Sequence, residues 1–168
     1  MKKIIYIFII TVAVIFTGCT SDKNEVPKDI VGEYTVNTKK IEFGGNYELG
    51  KVIIIKKSDV YSINLNYKVV RNKIKQNGQI KPEKTLIEKK LKLQGKISKV
   101  EYSDKDFEEN SEVYVIAFDP ETIKLAGTKE IVDKFKVSPQ FIFIRKAKVD
   151  GQITELLKIN GGRYKKVR

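Results

Sequence analysis

Tyr61-Ser62-Ile63-Asn64-Leu65-Asn66-Tyr67-Lys68-Val69 alternates apolar and polar side chains without a break. Successive side chains of a strand point to opposite faces, so this nine-residue stretch predicts a strand with one buried and one wet face. On a helix the same apolar residues would be scattered round the axis. Tyr61, Ile63, Leu65 and Tyr67 therefore share a face and are candidates to line an interior.

Working outward, the chain continues in the same idiom. Strands are expected over 32–43, 51–57, 86–93, 96–102, 112–118, 122–126, 140–146, 153–159 and 163–167, with the pair flanking Gly95 read as neighbours. Phe141 and Phe143 share another face and join the candidate lining residues. Gly44-Gly45-Asn46, Ser58-Asp59, Asp119-Pro120, Asp150-Gly151 and Asn160-Gly161-Gly162 are turn signals of the hairpin kind. In Ile74 to Ile80, a three-residue loop Gln76–Gly78 is expected, pairing Ile74 with Ile80 and Lys75 with Gln79; it keeps like faces together. Short helical turns are expected at 104–109, after Ser103, and at 129–136, after Thr128, with Ile131 and Phe135 one turn apart. About eight to ten sequential strands predict an all-β antiparallel meander closing into an up-and-down barrel, with a β-sandwich as the alternative. Val113–Phe118 and Phe141–Ile144 are apolar on both faces, so their outer face needs a cover, either the 129–136 helix or a partner.

The start of the chain has a different grammar. Lys2 and Lys3 precede an uncharged apolar run from Ile4 to Phe16, and small residues follow. A positive start, a short apolar stretch and small residues are the layout of a secretory signal peptide, too short to span a bilayer. The end of this leader, Phe16-Thr17-Gly18-Cys19, resembles the lipobox of bacterial lipoproteins, with Phe16 where that family usually has Leu. The resemblance implies a signal peptide over 1–18, cleavage before Cys19, and a diacylglyceryl thioether on its sulfur. It places the protein outside the cytoplasm, held on a membrane by the lipid at Cys19. Thr20, and not Asp, follows the cysteine, which in a diderm bacterium favours the outer membrane. Two or three acyl chains make a lasting anchor where one chain is marginal. Residues 19–29 are polar, contain Pro27 and read as a tether; residues 30–168 read as a single domain.

Two short stretches suggest a further likeness. Ile30-Val31-Gly32-Glu33-Tyr34 resembles the opening of lipocalin-like envelope proteins, with Tyr34 in the place of Trp, and Gly161-Gly162-Arg163-Tyr164-Lys165-Lys166-Val167 resembles a closing strand of such barrels. The likeness implies a small calyx-type barrel that takes a hydrophobic or amphipathic ligand, and it transfers no binding residue.

Composition narrows the chemistry. The chain has no His, no Trp and one Cys, which excludes imidazole acid–base catalysis, intrachain disulfides, and His- or Cys-cluster metal sites. The expectation is a non-enzyme without cofactor or metal. Asp104 to Glu112 gathers carboxylates and could offer oxygen ligands to Ca²⁺, but it lacks the order and the Gly of an EF-hand loop and reads as a solvated acidic stretch. Ser98 beside Lys99 makes a poor nucleophile pair, because neighbours on a strand face opposite ways.

The net charge is +12 and falls to about +10 without residues 1–18. It comes from 29 Lys and 4 Arg. Arg is the residue suited to bidentate recognition of phosphate and bases, so a Lys-dominated surface argues against a nucleic-acid partner. The lysines at 73, 75, 81, 84, 89, 90 and 92 are densest and read as the solvated faces of strands or as a contact for an anionic envelope surface. The expected function is thus a membrane-anchored binding barrel, with an envelope interaction module as the alternative.

Overall fold

The structure is a computed structural model and describes residues 25–37, 46–71, 75–76, 79–80, 84–103, 111–137, 139–149 and 151–167. The leader, Cys19 and the 104–109 turn lie outside the described residues. Among those described, the elements in chain order are β1 (Gly32–Asn37), β2 (Asn46–Lys57), β3 (Val60–Arg71), β4 (Lys75–Gln76), β5 (Gln79–Ile80), β6 (Lys84–Ser103), β7 (Glu112–Phe118), β8 (Lys124–Gly127), α1 (Lys129–Val137), β9 (Gln140–Val149), β10 (Gln152–Ile159) and β11 (Gly162–Lys166). Short 3₁₀ turns at Lys28–Ile30 and Pro120–Thr122 complete them. No described helix is long and apolar enough to cross a membrane.

One nine-stranded antiparallel sheet runs in the order β3-β2-β1-β11-β10-β9-β7-β6-β8. The pairing of β3 with β6 closes eight of these strands into a ring. Apart from two excursions, β4–β5 between β3 and β6 and β8–α1 between β7 and β9, ring neighbours follow each other along the chain, as a meander requires. The ring is uneven. β2 and β3 pair from Asn46↔Arg71 to Lys57↔Val60, while β1 and β11 meet around Tyr34↔Lys166 and Thr35↔Lys165.

Alternation places the core. Ile63, Leu65, Leu91, Leu93, Ile116, Phe118, Phe141, Phe143 and Leu157 are buried in one interior cluster. Burying an aliphatic or aromatic side chain contributes about 1.5–3 kcal/mol, so this cluster dominates stability. On β6, Leu91 and Leu93 are buried while Lys90 and Lys92, which alternate with them, are exposed.

Several expectations are corrected. The segments flanking Gly95 are one 20-residue strand, β6, which pairs with β3 as far as Lys96 and with β7 from Ile97. Gly95 marks a close approach and not a turn: a Cβ there would sit 3.1 Å from the Phe118 ring. Asp119-Pro120 is likewise no hairpin. β7 and β8 both run along β6, interrupted by a 3₁₀ turn in which the Asp119 carboxylate accepts from the Glu121 N–H at 3.0 Å. Pro120 has no N–H for the ladder, so the strand detours. β4 and β5 pair Lys75 with Ile80 and Gln76 with Gln79, a register that differs from the expected pairing of Lys75 with Gln79. The pair forms a sheet separate from the ring, so no core face of the ring dictates its register.

Helix α1 does not cover the outer face of β7 and β9. Its Ile131 and Phe135 enter the interior cluster. The outer face carries its own cluster of Val113, Ile144, Ala147 and Leu156.

Candidate functional site

The two ends of the ring differ. At one end the chain preceding β1 folds over the interior. Ile30 is fully buried, Pro27 is buried, and Val26 packs against the interior cluster. The Tyr34 hydroxyl donates to the Ile30 carbonyl at 2.7 Å. Burial, with the nearby Asp29 and Glu155 charges, pushes the Tyr34 hydroxyl pKa well up. Arg145 donates to both Asp29 carboxylate oxygens, at 2.8 and 2.7 Å, and to Glu112 at 2.9 Å; Lys146 also binds Glu112, and Lys166 donates to the Asp29 carbonyl. The Arg145 guanidinium lies 5.4 Å from the Tyr114 ring centroid. This end is closed.

The opposite end holds a cavity of about 490 Å³. Val36, Leu65, Ile131 and Ile159 form its apolar wall, with the rings of Tyr67 and Tyr164 beside them. Glu48, Lys89, Glu130, Lys134 and Arg163 stand round it. Lys89 lies on the inward face of β6, paired with Tyr67, and its ammonium meets Glu130 of α1 at 2.9 Å. That hydrogen bond holds the Glu130 carboxyl below its usual range. The helix is thereby tied across the mouth by an ion pair outside and by Phe135 inside.

The two tyrosines and Glu48 form the polar side of the cavity. Burial raises the Tyr67 hydroxyl pKa, and its hydrogen bond to the Glu48 carboxylate raises it further. Tyr164 is pushed up to about 12, first by burial and then by the Glu48 charge. Both hydroxyls are neutral donors at physiological pH. Space for the rings comes from glycine. A Cβ on Gly50 would lie 2.8 Å from Val36, 3.1 Å from Tyr67 and 3.2 Å from Tyr164, and one on Gly162 would lie 2.9 Å from Tyr164. Gly50 pairs directly with Tyr67 across β2 and β3.

The candidate lining residues divide. Leu65 and Tyr67 reach the cavity. Tyr61, Ile63, Phe141 and Phe143 belong to the packed interior, at 5%, 0%, 2% and 0% exposure. Strand parity placed all six on inward faces, but the wall of the mouth also draws on β1, α1, β10 and β11, which local patterning could not assign to one end. The Asn160-Gly161 hairpin loop was a legible signal for the rim; Asn160 and Gly161 both have positive φ, as a tight two-residue turn requires. Other candidates resolve simply. Ser98 donates to the Ala117 carbonyl at 3.3 Å, while Lys99 pairs with Glu101, so the two do not form a nucleophile pair. Of the dense lysines, Lys89 and Lys90 are paired with Glu130 and Glu88.

Chemically, the site is an apolar recess with two neutral hydroxyls and a rim of both charge signs. It suits a compact molecule with an apolar body and a polar end. No family model matches the sequence, and neither a curated protein nor a solved structure matches it.

Proposed function

We propose that this chain is an exported bacterial lipoprotein, anchored on a membrane through acylated Cys19, whose eight-stranded ring works as a lipocalin-like barrel binding a small hydrophobic or amphipathic ligand. The ligand acts by being held, without chemical change. The observation that carries this reading is the cavity of about 490 Å³ at one end of an otherwise packed ring, walled by Val36, Leu65, Ile131 and Ile159. Apolar recesses of roughly 300–1,000 Å³ with a few polar groups are the usual form of small-molecule sites. The lipobox-like Phe16–Cys19 stretch supports the anchor.

Native mass spectrometry of the protein extracted from its own membranes tests the reading. The expected spectrum shows the covalent lipid mass plus a non-covalent adduct that collisional activation removes. Leu65→Trp, which fills the recess, loses the adduct. Protein that carries no adduct and takes up no fluorescent fatty acid ends the binding reading.

The second reading, an envelope interaction module, draws on Leu86 and Ile87, exposed at 37% and 47% on β6 beyond the cavity. Lys84, Lys90 and Lys92 on the same strand supply a cationic surface for anionic envelope polymers.

A further inference from the structure

The cavity mouth carries a small ion cluster built from β6 and α1. Val36 pairs with Gly50, Gly50 with Tyr67 and Tyr67 with Lys89, so these four residues form one inward row across β1, β2, β3 and β6. The next row into the ring, Val52, Leu65 and Leu91, is buried. Lys89 therefore rises from the first level above the packed interior. Its Nζ lies 2.9 Å from Glu130 Oε1, and the Lys134 Nζ, one helical turn on, lies 3.6 Å from the same oxygen. All three side chains line the cavity. One carboxylate oxygen is thus shared by two ammonium groups at the entrance of an apolar recess.

We infer that the Glu130 carboxylate occupies the seat of a ligand carboxylate: the bound molecule is a single-chain carboxylate amphiphile, the class of a free fatty acid, whose head replaces Glu130 between Lys89 and Lys134. Its chain then lies against Val36, Leu65, Ile131 and Ile159. The inference rests on the binding-barrel reading and specifies its ligand.

The charges of the mouth favour this head group. Among the described residues, Lys89, Lys134 and Arg163 line the cavity against Glu48 and Glu130. With Glu130 turned outward, the cations outnumber the remaining carboxylate. The exchange is easy, because the Glu130 side chain is 52% exposed and exposed ion pairs are weakened by water. Lys89, at 27%, is the more sheltered partner and keeps a carboxylate in either state. The helix stays in place meanwhile, since Ile131 and Phe135 are buried in the interior cluster. Glu48 stands on the other flank of Tyr67: it lies on β2, paired with Val69 one row farther out, and accepts the Tyr67 hydroxyl. Like-charge repulsion from Glu48 steers an anionic head away from the tyrosine side and toward the lysine pair.

Titration calorimetry on the acylated full-length protein in phosphatidylcholine vesicles tests this, with protein-free vesicles as the blank. Octanoate, octanol and octylammonium share one chain and differ in the charge of the head. At neutral pH, octanoate should bind about tenfold tighter than octanol, as a hydrogen bond to a charged group provides. Lys89→Gln should remove most of that preference, and Lys134→Gln a smaller part, in keeping with its longer contact. Glu130→Gln decides the role of the carboxylate. If it holds the ligand's seat, Glu130→Gln tightens octanoate several-fold and leaves octanol where it was. If it only ties the helix across the mouth, Glu130→Gln weakens all three ligands, and the inference is overturned. Octanol bound as tightly as octanoate, or octylammonium bound tightest, also overturns it and leaves the binding reading standing. Binding of none of the three ends the reading and the inference together.

Discussion

Arg145 and Asp29, 116 residues apart in sequence, face each other through two parallel hydrogen bonds, Nε to Oδ2 at 2.8 Å and Nη2 to Oδ1 at 2.7 Å. This fork-to-fork pair joins β9 to the segment that precedes β1 and shuts one end of the ring. Planar bidentate geometry is what distinguishes Arg from Lys here. Both side chains are about one-third exposed, so the pair ranks between a surface bridge and a buried one. Arg145→Ala or Asp29→Ala should cost about 1–2 kcal/mol in urea unfolding, and Arg145→Lys should recover only part of it. A double-mutant cycle between the two positions should show favourable coupling; simple additivity would mean the contact contributes nothing.

The same network sets the acid limb of stability. Burial acts to raise the Asp29 pKa, but the Arg145 hydrogen bonds and charge, helped by Lys166, outweigh it and the net shift is downward. Lys146 and then Arg145 lower Glu112 against its own desolvation. Folded-state values below the unfolded ones mean that this stabilisation is present above about pH 4.3 and is lost as pH falls through the lowered values. In Arg145→Ala the acid limb should flatten. For Tyr67 and Tyr164 the sign is opposite: their raised values favour the neutral hydroxyl, so their stabilisation is present below about pH 10 and is lost above it. Spectrophotometric titration should find Tyr164 still protonated well after an unperturbed tyrosine has ionised.

Gly127 and Gly151 both have positive φ, 146° and 78°, yet their surroundings differ. A Cβ on Gly127 would lie 2.0 Å from the Lys90 carbonyl oxygen, where β8 meets β6, while nothing lies within 4 Å at Gly151. Gly127→Ala should cost about 3 kcal/mol or more, because backbone must move. Gly151→Ala should cost only the left-handed conformation, about 1–2 kcal/mol. Thermal melts of the two variants check the order; equal losses would refute it.

Phe135 is fully buried and fixes α1 to the interior. Phe135→Ala should cost about 3–5 kcal/mol. It should also loosen the helix over the mouth, which hydrogen exchange would read as faster exchange in 129–137 than in β9.

Gly50→Ala presses a methyl group against Val36, Tyr67 and Tyr164 at once. Side chains can give where backbone cannot, so a cost of about 1–3 kcal/mol is expected. Affinity for a fluorescent fatty acid should fall as the two rings shift; unchanged binding would separate these rings from the ligand.

Much of this arrangement was legible along the chain. Period-2 alternation is a property of the pleated backbone itself, so Tyr61 to Val69 declared its faces without help from any distant residue. The same holds for the Asn160-Gly161 turn, whose residue types tolerate positive φ. Ile131 and Phe135, one helical turn apart, announced a helix with a buried face. Closure, however, depends on pairings between segments far apart: β3 with β6, β1 with β11, Asp29 with Arg145. No local pattern encodes which neighbour a strand will meet, so Gly95 read as a turn when it accommodates the Phe118 ring in a continuous strand. Nor could alternation tell a packed interior from an open one. Tyr61 and Tyr67 carry the same side chain on the same strand face, yet one lies in the core and the other at the mouth. Only the ring, plugged at one end by Ile30 and bridged at the other by α1, separates them.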